Sequence, residues 1–562
     1  MDLAQDSKRA SSAEPCAFQH YSAAINHHEP TAQGIRNTTG FSISDLPQVR
    51  KGEKLRSMYN FSWHQTIFWF WLLILISSPL ASRDKAQPAR FSQYGAPYNS
   101  ANATQGGNRT IPALLISDIH FDPFHDPAKA RQLVDAPVGQ WRKILSDPPS
   151  PNQQKDFAAL QDTCHPRRVD TPYALLQSSL KEMQSRQPDA KFITVSGDLI
   201  SHDFPCMYNN THGMEQSKYQ AFVLKTLCFV MTELRQSFRG VPVYVALGNN
   251  DTTCKDYSLD AGSDFLAQTG RIVAEGLPPS QQQQARAMFA KGGYYSVMME
   301  APMHDTKIIV VNDVFLSPEY RTCDGGIDSH AITDELAWLK SEFCQARRLR
   351  QNVWVMGHIP PGVDPYETHK EKMDSCGNRE HIMFLSSDKL ADLLIDYADV
   401  IRLGVFGHSH MDEMRLLERQ INGPLASSEP RVAIKVVPSI SPFNGNNPAF
   451  TVAHVDPTSA ALQNYEVFEA SNQTGIGTRW SREYAYAEKY HKTNFSPLTV
   501  KELIAEFEMD RNAKTEASKN YVRYYSVGNA SSELKPYWPQ YVCAQAYDTD
   551  EAFNKCVCSI GQ

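Results

Sequence analysis

The chain has 562 residues, of which 41% are hydrophobic and 21% are charged, an ordinary composition for a globular protein with a large core. Its formal net charge at pH 7 is −7, which argues against a protein that binds nucleic acid through a basic surface. We therefore expect no nucleic-acid binding of that kind.

The N-terminal region differs from the rest of the chain. Residues 1–57 are polar and predict a disordered extension. The apolar stretch TIFWFWLLILISSPLAS follows at 66–82, and its uninterrupted core runs only from Ile67 to Ile76. A membrane-spanning helix needs about 20 residues, whereas the apolar part of a secretory signal needs roughly 7–15. Residues 58–82 therefore predict a signal peptide, with a membrane anchor formed by 66–82 as the alternative.

A signal at this place predicts a secreted or periplasmic protein. Met58 lies just upstream of the apolar stretch, so a chain that starts there has a signal of ordinary length. The chain has 11 cysteines, all but Cys16 beyond the signal, and an even number there is typical of disulfides in an oxidising compartment. Cys556-x-Cys558 predicts part of a disulfide staple. Sequons such as those at Asn102, Asn472 and Asn529 would carry glycans in a host that glycosylates.

Beyond a linker at 83–110, five apolar, β-rich runs each end in side chains of the metal-ligand type. Each run predicts a strand buried in a sheet that other layers cover. Polar residues just past strand ends form many sites of α/β proteins. Glycine comes before several of them, and we expect it to let the backbone turn so that the next side chain faces the site. The runs are IPALLISDIHFD (111–122), AKFITVSGDLISHD (190–203), VPVYVALGNND (241–251), NVWVMGHIPPG (352–362) and IRLGVFGHSH (401–410).

The ends of these runs supply a set of candidate metal ligands. A single Gly-Asp or Gly-His is usually a solvated loop, but the five ends together provide the number and types of side chain that two divalent ions need. Imidazoles with carboxylates suit Zn, Fe or Mn, and one carboxylate can bridge two ions. We expect two ions, with zinc preferred and manganese or iron as alternatives. The candidate ligands are Asp118, His120, Asp198, Asn249, His358, His408 and His410.

In order, the motifs DxH, GD, GN, GH and GHxH resemble the signature of the calcineurin-like metallophosphoesterases. The resemblance covers 111–456 and implies an α/β catalytic domain there, built as a four-layer αββα sandwich. Finer motifs resemble the acid sphingomyelinase-like branch, which includes sphingomyelin phosphodiesterases and endopolyphosphatases. These motifs are HIPPG at 358–362, GHSHMDE at 407–413 and VPSISPFNGNNPAFTV at 437–452.

The resemblance also implies a division of the ligands between two ions. One ion would take Asp118, His120 and His410, the other would take Asn249, His358 and His408, and Asp198 would bridge both. The implied reaction is hydrolysis of a phosphodiester by a hydroxide that bridges the two ions.

One position departs from the family pattern. Most members have a histidine after the asparagine of the third motif, where it donates a proton to the leaving group, and this chain has Asn250. An amide can donate a hydrogen bond but cannot transfer a proton at working pH. The resemblance leaves His202 as the candidate acid, and Asn250 would at most orient the substrate.

The substrate stays open between a sphingomyelin-like lipid, polyphosphate and a nucleotide derivative. The favoured function is a phosphodiesterase of sphingomyelin phosphodiesterase type, and an endopolyphosphatase is the alternative. A phosphomonoesterase, or a metal-binding protein of weak activity, remains a further alternative. We expect a monomer whose contact with a membrane, if any, is made by the N-terminal apolar segment.

Residues 457–562 differ in their pattern of apolar residues from the catalytic domain. The segment SPLTVKELIAEFEMDRN (496–512) has apolar residues at helical spacing and a proline suited to a first helical turn. We predict a mainly helical, cysteine-containing extension packed on the catalytic domain, with an independent interaction module as the alternative.

A few further residues near the motifs carry expectations. Asp122 and His125 are candidates for a place behind the ligands or at the surface, with the surface favoured. Asn312 and Asp313 follow another strand and are candidates to line the pocket. Tyr366, His369 and His381 lie in a long polar segment after the HIPPG motif, which predicts a rim loop.

Overall fold

Two six-stranded mixed sheets form the centre of the structure, a computed structural model that describes residues 110–164, 168–370, 381–419, 430–528 and 534–561. The strand order is β12-β11-β10-β1-β2-β3 in one sheet and β4-β5-β6-β7-β9-β8 in the other. The strands are β1 (Ile111–Ile116), β2 (Ile193–Ser196), β3 (Val243–Ala246), β4 (Tyr295–Met298), β5 (Thr306–Val310), β6 (Asn352–Met356), β7 (Ile401–Phe406), β8 (Glu413–Glu418), β9 (Arg431–Val436), β10 (Ala449–Val455), β11 (Leu462–Ala470) and β12 (Trp480–Ala485).

Helices cover the outer faces of both sheets and make up most of the C-terminal region. They are α1 (Pro127–Asp135), α2 (Val138–Ser146), α3 (Gln153–Cys164), α4 (Tyr173–Arg186), α5 (Phe204–His212), α6 (Gln216–Ser237), α7 (Asp264–Ala274), α8 (Pro279–Gly292), α9 (Ser329–Leu349), α10 (Pro365–Lys370), α11 (Lys389–Asp396), α12 (Tyr486–Tyr490), α13 (Pro497–Met509), α14 (Glu516–Tyr524), α15 (Trp538–Cys543) and α16 (Asp550–Gly561). Short 3-10 helices lie at Asp313–Leu316 and Lys535–Tyr537.

The predicted αββα sandwich is confirmed, and each of the five apolar runs contains a strand. β1, β2 and β3 are parallel neighbours in the first sheet, and β5, β6, β7 and β9 are parallel neighbours in the second. Parallel strands of one sheet end at the same edge, which brings the loops after them close together. The topology thus gathers the five predicted strand ends into two neighbouring groups.

The two sheets share one apolar core. Trp354 of β6 is fully buried, and its ring meets that of Phe192 edge-on at a centroid distance of 5.4 Å. The indole Nε1 of Trp354 donates to the carbonyl oxygen of Ala460 at 2.8 Å, so the polar atom of this buried ring is satisfied. The near-continuous burial of the central strands explains why their sequences are apolar runs rather than alternating patterns.

The C-terminal region begins as sheet and continues as helix. β11 and β12 extend the first sheet beyond residue 456, and the helical part starts at Tyr486. The predicted helix at 496–512 is α13, where Ser496 forms a capping box with Thr499. The domain boundary placed at 456 stays a prediction, and in the structure the first sheet continues across it.

The region after α13 is attached by backbone hydrogen bonds to β8 and to Asp412, the residue before it. Asp412 N donates to Tyr525 O at 2.9 Å, and Leu416 N donates to Gln545 O at 2.7 Å. Because β8 follows the GHSH loop directly, these contacts join the C-terminal region to a loop of the predicted metal site. Within the described ranges the extension therefore packs on the sandwich, as expected.

Disulfides link neighbouring elements of the structure. They join Cys164 to Cys206, Cys254 to Cys323 and Cys543 to Cys556, and Cys558 is disulfide-bonded as well. The predicted C-terminal staple is therefore confirmed. Disulfides are typical of proteins outside the reducing cytosol, so these bonds are consistent with an extracytoplasmic protein.

The predicted export segment at 58–82 lies outside the described residues. Over the part of the chain that the structure covers, no helix has both the length and the apolar character needed to cross a bilayer.

A buried arginine holds three parts of the molecule together. Arg415 of β8 pairs with Glu413 at 3.0 Å, and both side chains are almost fully buried. Its Nη1 donates to the carbonyl oxygen of Val363 at 3.0 Å, just after the HIPPG motif, and lies 3.5 Å from that of Ala544 in the C-terminal region. The guanidinium also lies 4.9 Å from the centre of the Phe384 ring.

We expect Arg415→Met to lower the free energy of unfolding by about 3–5 kcal/mol, because it leaves the Glu413 carboxylate buried without its cationic partner. Urea or thermal unfolding of the purified protein measures the change. The exposed Arg348→Met on α9 is the matched control and should change stability by less than about 0.5 kcal/mol. Equal stability of the two variants would show that the buried pair does not support the fold.

Candidate metal centre

All seven candidate ligands lie together where the two sheets meet. The loops after β1, β2 and β3 of the first sheet carry four of them, and the loops after β6 and β7 of the second sheet carry three. The first group is Asp118, His120, Asp198 and Asn249, and the second is His358, His408 and His410. Neither sheet alone holds a full set, so the centre exists only where the two sheets pack.

One cluster of ligand atoms gathers around His120. Its Nε2 lies 3.2 Å from Nε2 of His410 and 3.3 Å from Oδ2 of Asp198. Oδ1 of Asp118 lies 3.6 Å from Nε2 of His410 and 3.8 Å from Nε2 of His120. Ligand atoms about 2.1 Å from one ion are roughly 3–3.5 Å from one another. The cluster therefore fits a divalent ion after small adjustments.

The second cluster gathers around the side-chain oxygen of Asn249. Its Oδ1 lies 2.9 Å from Nε2 of His358 and 3.0 Å from Nδ1 of His408, and these two nitrogens are 3.2 Å apart. Oδ2 of Asp198 lies 3.3 Å from Nε2 of His358. That oxygen is equally close to His120 of the first cluster, so Asp198 borders both clusters and is placed to bridge two ions.

Hydrogen bonds behind the clusters orient the ligand atoms. Nδ1 of His120 lies 2.9 Å from the carbonyl oxygen of Ile200, and Nδ1 of His358 lies 2.7 Å from that of Ser196. A proton on each Nδ1 leaves the lone pair of Nε2 free for a metal. Asn249 donates through Nδ2 to Asp256 at 2.8 Å, which turns its oxygen towards the cluster.

The backbone under the ligands is strained. Asp118, His120 and Asp198 have φ angles of 47°, 43° and 53°, and His408 and His410 have 75° and 69°. For residues with a Cβ atom this left-handed conformation costs about 1–2 kcal/mol each. Such strain persists where the surrounding structure over-determines the backbone and is concentrated at functional sites.

The glycines before the ligands serve a purpose that differs from the expected one. Gly197 has a φ of 84°, in line with the predicted turn, but Gly248, Gly357 and Gly407 do not have positive φ angles. A Cβ atom at any of these three would overlap a buried polar side chain. For Gly407 the overlapped side chains are those of Asp118 and its neighbour Ser117. Close approach of the loops, rather than a sharp turn, requires glycine there.

Burial sets the charge of the ligands. It lowers the pKa of His120 to about 4 and that of His408 to about 3, so both imidazoles are neutral, as metal binding requires. Burial raises the pKa of Asp118 to about 7. For His358, burial by itself favours the neutral form, but Asp198 and Asp118 outweigh it and raise the pKa to about 10. In the metal-free protein the protonated His358 therefore supplies positive charge beside the two carboxylates.

The candidate acid His202 is held beside the first cluster. Its Nδ1 lies 3.0 Å from Oδ1 of Asp170, and its backbone N–H donates to Oδ2 of Asp170 at 2.8 Å. The ring stacks between those of His120 and Phe443, at centroid distances of 3.9 and 3.7 Å. Its side chain keeps 20% of its surface exposed, which leaves it in reach of a substrate.

Asn250 lies against the shared carboxylate. Its backbone N–H donates to Oδ1 of Asp198 and its Nδ2 donates to Oδ2, both at 2.9 Å. It therefore holds Asp198 in place, and its expected contact with substrate stays a prediction.

Other sequence expectations have mixed outcomes. Asp122 is buried, so its expected surface position is wrong. Asp313 lies behind the centre, where its carboxylate accepts the backbone N–H of His358 at 2.7 Å. In the segment after HIPPG, Tyr366 is exposed, but His369 stacks on Tyr537 of the C-terminal region and His381 is buried.

Some residues of the site were missed by sequence reasoning. Asp170 and Phe443 fix the ring of His202, and Asp256 fixes the amide of Asn249. Asp170 follows no apolar run, so the search for strand ends could not find it. Phe443 lies within the family motif at 437–452, and that motif was its only signal.

We expect metal binding to displace protons, because Asp118 and His358 hold protons near neutral pH in the metal-free protein. Zinc affinity should therefore rise with pH, by about tenfold per pH unit for each proton released. Calorimetric titration of the chelator-treated protein with Zn²⁺, in buffers of different ionisation enthalpy, counts those protons. The same heat in all buffers would contradict the protonation assigned to these two residues.

Comparisons with known proteins agree with this geometry. The model of the calcineurin-like phosphoesterase family matches residues 111–412, more than half of the chain. Sphingomyelinase phosphodiesterase C of Dictyostelium discoideum is 26% identical over 349 residues, covering 60% of this chain and 71% of that protein. Acid sphingomyelinase-like phosphodiesterase 3b of Homo sapiens is 26% identical over 483 residues, covering 82% and 93%.

A cyclic GMP-AMP phosphodiesterase of Homo sapiens is 23% identical over 433 residues, covering 75% of this chain and 84% of that protein. The family match spans all five strand ends and both ligand clusters. The chain therefore belongs to the calcineurin-like phosphoesterase family and is a metal-dependent hydrolase of phosphoesters.

Proposed function

We propose that the protein is an extracytoplasmic dimetal phosphodiesterase of sphingomyelin phosphodiesterase type. The observation that carries the proposal is the position of Oδ2 of Asp198, 3.3 Å from a histidine nitrogen of each cluster. One ion would be held by Asp118, His120 and His410, the other by Asn249, His358 and His408, with Asp198 shared. Zinc is the favoured metal because imidazole nitrogens outnumber the carboxylates.

Two bound ions would supply positive charge that clamps the phosphoryl oxygens and activates water as the nucleophile. The residues of the chain do the remaining work. Asp198 and its neighbours fix the ligand positions, and the buried walls around Asp118 and His120 limit the access of water. In such a setting preorganised charge stabilises the transition state strongly.

His202 is proposed as the general acid. Asp170 binds its Nδ1, so Nε2 is free to give a proton to the leaving oxygen. Burial by itself lowers the pKa of His202, but the Asp170 carboxylate outweighs it and raises the pKa above its ordinary value. The stack of His202 between His120 and Phe443 holds the ring in one plane.

The relatives support a phosphodiester substrate and differ in which one. The similar proteins are named for sphingomyelin and for cyclic GMP-AMP. Asn250 in place of the usual histidine instead favours a substrate with a better leaving group, such as polyphosphate. The disulfides support an extracytoplasmic location, in keeping with the signal predicted at 58–82.

We expect the full-length protein with Zn²⁺ or Mn²⁺ to hydrolyse bis(4-nitrophenyl) phosphate faster than 4-nitrophenyl phosphate. Asp198→Asn should lower kcat/KM for the diester by at least about 100-fold, because it removes the shared carboxylate. Asp324→Asn, at an exposed carboxylate, is the matched control. Faster cleavage of the monoester would favour the phosphomonoesterase, and bound metal without turnover would favour the metal-binding protein.

The same protein should then be given sphingomyelin, cyclic GMP-AMP and long-chain polyphosphate. Turnover of the lipid that disappears in Asp198→Asn supports the sphingomyelin phosphodiesterase type. Turnover of polyphosphate alone would replace it with the endopolyphosphatase.

A leaving-group comparison tests the role of His202. We expect His202→Ala to lower kcat for an alkyl phosphodiester by about 10²–10⁴-fold, because an alkoxide must be protonated as it leaves. The loss for a nitrophenyl ester should be much smaller, since nitrophenolate leaves without a proton. Steady-state kinetics of both substrates measure the two losses, and equal losses would mean that His202 acts on the metal centre rather than as an acid.

A further inference from the structure

A stack of planar side chains runs outward from the metal centre. His120 stacks on His202 at 3.9 Å with 19° between the rings, and His202 stacks on Phe443 at 3.7 Å with 9°. The guanidinium carbon of Arg168 lies 5.0 Å from the centre of the Phe443 ring. The stack therefore links the first cluster to a positive charge at its outer end.

The charge at this outer end is available to a ligand. Arg168 is exposed, and among the residues that the structure describes no carboxylate forms an ion pair with it. Its backbone is held in place, because Gln161 donates from Nε2 to the carbonyl oxygen of Arg168 at 2.5 Å. A stacked guanidinium on an anchored backbone keeps its N–H donors pointing in few directions, which suits recognition of an anion.

The second cluster borders a carboxylate rather than an arginine. Asp256 is exposed and accepts from Nδ2 of Asn249, a proposed ligand of the second cluster. Tyr257 follows it, and its hydroxyl lies 3.4 Å from Nε2 of His408. A phosphodiester has two ester arms, and the two sides of this centre are not equivalent towards them.

The side that carries Arg168 is the side of the leaving group, because His202 lies inside the same stack. In the proposed reaction the oxygen of water forms a new P–O bond as the P–O bond to the leaving oxygen breaks. His202 gives its proton to that leaving oxygen, and the proton of water passes to solvent. The rest of the leaving group then lies beyond His202, beside Phe443 and Arg168.

We propose that Arg168 is a specificity-determining residue, which favours phosphodiesters whose leaving group carries its own negative charge. The inference rests on the proposed dimetal hydrolysis and on the placement of His202 as the acid. It favours polyphosphate over sphingomyelin, whose leaving alcohol carries no charge. Asn250 points in the same direction, because a centre with one acid suits a leaving group that needs less help from a proton, such as a phosphate. Arg168 would bind the charge of that group through its guanidinium.

Two chromogenic esters test the inference directly. Methyl 4-nitrophenyl phosphate and methyl 3-carboxy-4-nitrophenyl phosphate have the same retained arm and differ in a carboxylate on the leaving group. We expect the full-length zinc-loaded protein to prefer the carboxylated ester, and Arg168→Gln to lower the ratio of the two kcat/KM values by about fivefold, the size of one exposed charge pair. Arg168→Lys should keep part of the preference, because it keeps the charge.

Arg348→Gln, which removes an exposed charge from α9, is the control and should leave the ratio unchanged. The preference should also weaken as salt is added, since the interaction is exposed and electrostatic. An unchanged ratio in Arg168→Gln, or no preference in the wild-type protein, overturns the inference. Failure of the wild-type protein to cleave either ester, with Asp198→Asn behaving alike, would instead overturn the proposed function.

Discussion

The structure depends on the burial of two carboxylates, Asp118 and Asp198, between the carboxyl ends of two sheets. Buried carboxylates are unfavourable unless positive charge and hydrogen-bond donors surround them. Neutral imidazoles provide lone pairs rather than charge, so the centre as built has a deficit of positive charge that two divalent ions would remove. The raised pKa values of Asp118 and His358 are the response of the metal-free protein to the same deficit.

This requirement extends into the backbone. Most of the proposed ligands sit in left-handed conformations, and the glycines beside them leave room for the neighbouring loops. Each feature lowers stability locally, and the cores of the packed sheets offset the loss. The buried Arg415 and the hydrogen bonds of β8 with the C-terminal region tie the loops of the second sheet to the rest of the fold.

Around this common centre the surroundings are asymmetric. The His202 side carries aromatic rings and an arginine, whereas the Asn249 side carries Asp256 and Tyr257. The metal ligands are sufficient for the reaction at phosphorus, whereas the residues that surround them decide which ester is bound. A family with one reaction and varied substrates is expected to differ in the borders first.

Much of the fold and of the candidate site could be predicted from the sequence. Buried parallel strands are encoded as apolar runs, and a ligand that directly follows such a run is a local pattern, as in Gly-Asp198 or Gly-His358. Family resemblance added the sandwich and the assignment of His202. These features depend on neighbours in the chain, so the order of residues contains them.

What the sequence could not supply are contacts between distant segments. Asp170 meets His202 across two separate loops, and Asp256 meets Asn249 through a turn that no periodicity marks. The buried position of Asp122 and the packing of His381 against the C-terminal region also depend on parts that meet only after folding. The sequence by itself determined the strands, the ligand types and the class of reaction. The tertiary structure alone decided that one oxygen of Asp198 borders both clusters and that Arg168 stands on the side of His202, because both facts arise from how the two sheets and their loops pack.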